Sequence, residues 1–227
     1  MDERFPRRGA AAGAVAVALY VAGALVAGTP PDFGAPATAA VAYFEEDRTR
    51  IQLGSAVLAA AMPFLVWWLA TVASLASDFG PAARRAGTVA FGCGIAFVAL
   101  FMADVAALAV GALRPGNMAA APELAQALLD FSFLAMGTAA FLAAGVLVAC
   151  AVLALRDAAL WARWIGWAAA VAAPAYALRV GTLFATDGPF AADGVFGLWV
   201  PVIAFAGWTL AASVVLVRRG GSLDGRS

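Results

Sequence analysis

Three ionisable side chains in this sequence lie where the chain gives them little water: Asp104, Asp130 and Arg179. Each sits within, or at the edge of, a run of aliphatic and aromatic residues, where inserting a charge costs roughly 2.5–3.5 kcal/mol. Such groups are expected to face a helix-bundle interior and to be paired or solvated there. A guanidinium offers a planar fork of donors and keeps its charge at any ordinary pH, so it can hold a carboxylate in bidentate fashion. The sequence therefore predicts a polar cluster in which Arg179 pairs with Asp104, with room for Asp130 above it; the reading preferred is structural, and a ligand or ion pathway through Asp104, Asp130 and Arg179 is the competing one. The structural forms are a pair that only fixes helix register, or an arginine that snorkels to the membrane surface.

Other chemistry is scarce. Histidine is absent from the 227 residues, which removes the commonest metal and haem ligand and the commonest general base near neutral pH. Cys93 and Cys150 both fall in apolar segments; they are too few for an all-cysteine metal site and are expected to be packed thiols. Ser55, Ser74, Ser132 and Ser213 have no histidine to activate them, and no GxSxG or SxxK motif is present. The glycines between Gly87 and Gly94 sit in an apolar run without a Walker lysine. The sequence thus predicts no enzyme, no cofactor and no metal. The remaining route to catalysis would be a metal held by carboxylates alone, at Glu45, Asp187 or Asp193.

The elements that must position these residues follow from composition. Hydrophobic residues make up 64% of the chain, charged residues only 12%, and mean hydropathy is +0.91, against roughly 25% charged residues in soluble domains. Six apolar runs, about 9–28, 51–75, 86–113, 131–155, 164–185 and 195–217, are each long enough to cross a hydrocarbon core of about 30 Å as a helix. The fold class expected is all-α: a single polytopic membrane helix bundle of residues 1–227 with six transmembrane helices. The first run could be a signal peptide, but its apolar core is longer than such segments use, so an uncleaved helix is preferred.

Charge sets the orientation. With the N-terminus in the cytoplasm, Arg4, Arg7, Arg8, Arg84, Arg85, Arg156, Arg163, Arg218, Arg219 and Arg226 lie inside, ten in all, against Arg48, Arg50 and Arg114 outside. Both termini are then cytoplasmic, and Asp32, Glu45, Glu46, Asp47, Asp187 and Asp193 belong to the outer loops. All 14 basic residues are arginine, a bias that points to a GC-rich bacterial genome and hence to a bacterial cytoplasmic membrane. The formal net charge of zero leaves no pull toward nucleic acid. The partner implied is the lipid bilayer; a protein partner or a homo-oligomer is left open.

Smaller features refine this layout. Thr38 is a candidate N-cap for a helix running through Tyr43 and Phe44 into the second span. Trp161, Trp164 and Trp167 are expected as rings at a membrane interface. Pro63, Pro174 and Pro201 interrupt spans and free backbone carbonyls. Gly9, Gly13, Gly92, Gly94, Gly137 and Gly145 offer small faces for close helix packing.

Four stretches carry a resemblance: the Tyr43-Phe44-Glu45 block leading to Arg50, the run from Phe131 through Ser132-Phe133-Leu134-Ala135-Met136 to Gly137, the Arg163-Trp164-Ile165-Gly166-Trp167 segment, and Gly207-Trp208-Thr209-Leu210-Ala211-Ala212-Ser213 before paired arginines. In these the chain resembles a family of small bacterial six-helix membrane proteins known as a domain of unknown function. The resemblance implies a six-helix membrane fold and supplies no site residues. Function is accordingly expected to be non-enzymatic, as a structural, sensory or partner-binding component. The alternative is a small transporter or ligand-binding bundle built on Asp104, Asp130 and Arg179. A water-accessible cavity reaching Asp104 favours the second reading; a solid bundle favours the first.

Overall fold

The computed structural model describes residues 4–32, 34–113, 116–156, 161–185, 188–191 and 194–223. Arg114, Asp187, Asp193 and Arg226, assigned above to loops or a terminus, lie outside them. The described chain is all-α. Its α-helices are α1 (Arg4–Ala27), α2 (Ala37–Glu46), α3 (Arg48–Ser77), α4 (Pro81–Leu113), α5 (Asn117–Ala120), α6 (Pro122–Thr138), α7 (Ala140–Arg156), α8 (Arg163–Ala177) and α9 (Val200–Leu223). A 3-10 helix, Leu178–Leu183, continues α8, and a π-helical turn, Val195–Trp199, leads into α9.

Among the described residues five helices are long and apolar enough to cross a membrane: Arg7–Ala27, Arg48–Ser77, Pro81–Leu113, the α6–α7 rod Pro122–Arg156, and Val195–Arg218. The segment expected as the fifth span is built differently. Its α-helix, Arg163–Ala177, is only 15 residues long. Pro174 lies in its last turn, where it withdraws one backbone donor from the α ladder, and the chain tightens to 3-10 winding just beyond.

Consecutive long helices pack antiparallel. Gly23 of α1 meets Leu58 of α3, whereas Gly9 meets Thr71; Gly94 of α4 meets Leu69, whereas Gly87 meets Ala76. Neighbours follow chain order from α1 to α3, α4, the α6–α7 rod, α8 and α9, and α9 returns to pack on α1. The bundle is therefore a closed ring of helices. One end carries Glu45, Glu46 and Asp47; the other carries Arg84, Arg85, Arg163 and Arg218. These are called here the acidic end and the arginine end.

Small residues make these contacts close. A Cβ on Gly13 would fall 2.8 Å from Trp68 Nε1, and one on Gly145 would fall 2.9 Å from Cys93 Sγ. Gly9, Gly94 and Gly137 are likewise covered by side chains, but Gly92 has open space before it. Cys93 and Cys150 are both free thiols, Cys150 fully buried.

Local endings follow from residue type. The Gly80 turn has φ 98°, a left-handed conformation suited to glycine, and Pro81 then starts α4 where its missing N–H is harmless. At the other end of α4, Gln52 Nε2 donates to Ala112 O at 3.1 Å and so satisfies one of the free last-turn carbonyls. Thr38 does not cap α2: the helix begins at Ala37 behind Pro36, without a side-chain cap. Nor does that helix run on into the second span, because the backbone leaves helical geometry at Asp47. The α6–α7 rod is interrupted at Ala139, where Thr138 Oγ1 donates to Ala135 O at 2.9 Å and competes with the backbone ladder. Pro63, by contrast, leaves α3 continuous.

The tryptophan segment is a correction to the sequence reading. Trp164 and Trp167 are exposed, as interfacial rings would be, but Trp161 is fully buried. Its Nε1 donates to Ala212 O at 3.4 Å, and its ring meets Trp208 edge-on with centroids 6.0 Å apart. Trp208 in turn donates to Ile165 O at 3.1 Å and stands at 83° to Trp68, 5.7 Å away. These three rings fill the core toward the arginine end.

Candidate functional site

Between the tryptophans and the acidic end the ring surrounds a partly open cavity of about 190 Å³. Helical periodicity aims its walls. Phe97, Phe101 and Asp104 recur at i, i+4 and i+7 on α4; Leu58, Met62 and Leu65 do so on α3; Ala16, Tyr20 and Ala24 line it from α1, and Val202, Phe205 and Thr209 from α9. Ser132 and Met136 close the α6 side, and Tyr176 and Arg179 the α8 side. Pro30, in the loop after α1, marks the edge nearest the acidic end.

The floor is aromatic. Phe97 packs against Phe205 at 5.7 Å and Tyr176 at 6.4 Å, Tyr176 against Phe205 at 5.6 Å, and Tyr20 against Phe101 at 5.8 Å. Such edge-to-face and tilted rings suit an apolar guest.

The charged groups come from two elements, Asp104 from α4 and Arg179 from the 3-10 helix. Asp104 is 7% exposed and accepts a hydrogen bond from Ser132 Oγ. Arg179 is 6% exposed, and the 3-10 helix explains its placement: three residues per turn put Arg179 and Thr182 on one face, both buried, just beyond the buried Tyr176 of α8. The guanidinium interacts with the Tyr176 hydroxyl and lies within electrostatic reach of Asp104. The direct Asp104–Arg179 ion pair expected from the sequence is not formed. Among the described residues no carboxylate oxygen comes within 4.0 Å of Arg179, and its buried Nε has no hydrogen-bond partner. Asp104 turns instead to the α6 hydroxyl that the antiparallel packing brings against it.

Asp130 takes no part in the cavity. It is half-buried on α6 and does not line the chamber. Ser132, two residues on, projects at another angle around the helix and is the residue that reaches Asp104. No motif in the sequence singles out Ser132, Tyr20 or Tyr176 as a wall of this chamber. The signal available was the Phe97–Phe101–Asp104 stripe, an apolar helical face that ends in a charge.

Outside the cavity, α2 lies across the acidic end. Phe44 is buried against Gly111 of α4, and Tyr43 packs beside Phe44 with ring centroids 5.4 Å apart. Burial, reinforced by the Asp47 carboxylate and opposed by Arg50, pushes the Tyr43 phenol up from 10.0 to about 12. Arg50 itself pairs with Asp47 at 3.1 Å in a largely exposed contact. No group of three or more metal-ligating side chains occurs among the described residues.

No protein-family model, curated protein or solved structure matches this chain.

Proposed function

We propose that this protein is a non-enzymatic ligand-binding bundle of the bacterial cytoplasmic membrane, with six spans and both termini in the cytoplasm. Its cavity would take a small amphipathic molecule in the outer half of the bilayer. The observation that carries this reading is the chamber itself: about 190 Å³, lined from every member of the ring, with Asp104, Ser132 and Arg179 set among apolar and aromatic walls. An engineered apolar cavity of about 150 Å³ admits benzene, so a benzene-sized body carrying a small polar head is the scale of guest expected. Mostly apolar walls with few convergent polar groups are the usual character of a small-molecule site.

Six spans are supported by the ring, in which α8 with its 3-10 extension takes the place of a helix between the α6–α7 rod and α9. The orientation rests on the arginines: the end opposite Glu45 and Glu46 carries Arg84, Arg85, Arg163 and Arg218.

The test is a thermal-stability screen of the protein in lipid nanodiscs with phenylalanine, leucine, 2-phenylethylamine, 3-phenylpropionate and indole. A compound bound only to the folded state raises the melting temperature. At least one compound should do so in the wild type and fail to do so in Ala206→Trp, which fills the chamber. A full set without effect, or equal effects on both proteins, would overturn the reading.

A further inference from the structure

The two charges in the cavity restrict what can bind there. We infer that its ligand is a small zwitterion on an apolar body, of the α-amino-acid type, with its carboxylate on Arg179 and its ammonium on Asp104. This inference rests on the cavity being a ligand site and names the class of ligand.

Asp104 and Arg179 are each more than nine-tenths buried, line the same chamber, and are within electrostatic reach without forming an ion pair. A guanidinium nitrogen in that position, Nε, has no acceptor. A buried donor left unpaired is unfavourable, and in a low-dielectric interior a charge beside it is more so. Binding a simple anion would satisfy Arg179 and set a second negative charge facing Asp104. Binding a simple cation would do the reverse. A molecule carrying both charges a few bonds apart fits a gap wider than an ion pair, satisfies both side chains, and leaves the chamber neutral. Ser132 fixes the Asp104 carboxylate from the α6 side. The Tyr176 hydroxyl lies near the guanidinium.

The aromatic floor supplies the rest. Phe97, Phe101, Tyr20, Tyr176 and Phe205 make a continuous set of rings, which accepts a branched aliphatic or aromatic side chain and gives an ammonium a favourable ring face as well.

The test compares three probes that share one body: L-phenylalanine with both charges, 2-phenylethylamine with the ammonium alone, and 3-phenylpropionate with the carboxylate alone. Equilibrium binding is measured on the full chain in nanodiscs at neutral pH, using radiolabelled phenylalanine and competition by the other two. The expected result is that each single-charge analogue binds about tenfold or more weakly than phenylalanine, the loss of one charge-assisted hydrogen bond. Asp104→Asn, which keeps an acceptor for Ser132, should shift preference to 3-phenylpropionate; Arg179→Gln should shift it to 2-phenylethylamine. A single-charge analogue that competes as well as phenylalanine, and is excluded by Ala206→Trp, overturns the zwitterion inference and leaves the cavity a ligand site. Failure of all three probes together with leucine and indole overturns both. The competition series needs no variant, so a folding defect in Asp104→Asn cannot mask the outcome.

Discussion

The hydroxyl of Ser132 on α6 donates to the carboxylate of Asp104 on α4, tying together two helices whose partners are 28 residues apart in the chain. In a bundle interior such a bond both holds the carboxylate in one rotamer and fixes the register of the two helices. Ser132→Ala should therefore destabilise the fold by about 1–3 kcal/mol, since it strands a buried acceptor. Ser132→Thr, which keeps the hydroxyl, should recover most of that loss. Unfolding by titration with sodium dodecyl sulfate would measure both; equal stability of Ser132→Ala and the wild type would contradict the arrangement.

Glycine packing offers a paired test. A Cβ on Gly111 would lie 2.6 Å from Phe44 Cζ, in a ring that is 1% exposed, whereas one on Gly92 would meet nothing within 4 Å. Gly111→Val is expected to displace α2 and to destabilise by about 1–3 kcal/mol. Gly92→Val should have little effect on the same denaturation curve. Similar losses for the two would mean that α2 does not pack on α4 as described.

The tryptophans separate by environment. Trp161→Phe removes a ring packed on Trp208 and a donor to Ala212 O, and should lower the melting temperature by several degrees, the size of shift that about 1 kcal/mol produces in a domain of this length or smaller. Trp164→Phe, at a ring 55% exposed, should not. Collisional quenching by a lipid-borne nitroxide gives a second readout: loss of Trp164 should remove a strongly quenched component, and loss of Trp161 a protected one.

Tyr43 makes the pH prediction. Its phenol is raised from 10.0 to about 12 in the fold, so above pH 10 the unfolded chain gives up this proton while the native state still holds it. The unfolded state then binds fewer protons, and stability falls as pH rises through the interval from 10 to about 12; below pH 10 the contribution is fully present. In a Tyr20→Phe, Tyr176→Phe background, absorbance at the phenolate band should titrate near 12. Titration at the ordinary tyrosine value would show that α2 leaves this ring in water. Tyr43→Phe should flatten the fall in stability over the same interval.

Much of the layout was legible in the sequence because a lipid-exposed helix must be apolar along its whole length, and that condition writes itself into composition. The runs 51–75 and 86–113 fall within α3 and α4, and 9–28 within α1 but for Gly28. What the sequence concealed was angular. Asp130 looked as well placed as Asp104, but a helix turns 100° per residue, so only the neighbour's position decides that Ser132 and not Asp130 faces the chamber. Trp161 reads as interfacial because amphipathic rings gather at the membrane–water boundary, yet Ala212 and Trp208 from a distant part of the chain claim it for the core. The 3-10 winding after Pro174 was hidden for a further reason: proline marks where an α-helix is weakened and does not say what geometry follows.

The return of α9 to α1 has a mechanical meaning. A row of helices has two ends, and the outermost member can peel away by breaking one interface. A ring has no outermost member, so removing any helix breaks two interfaces at once and opens the chamber from the side. Loss of order is then expected to be concerted around the circle instead of fraying from one edge, and pulling on either end of the described helices should meet its main resistance in the first step.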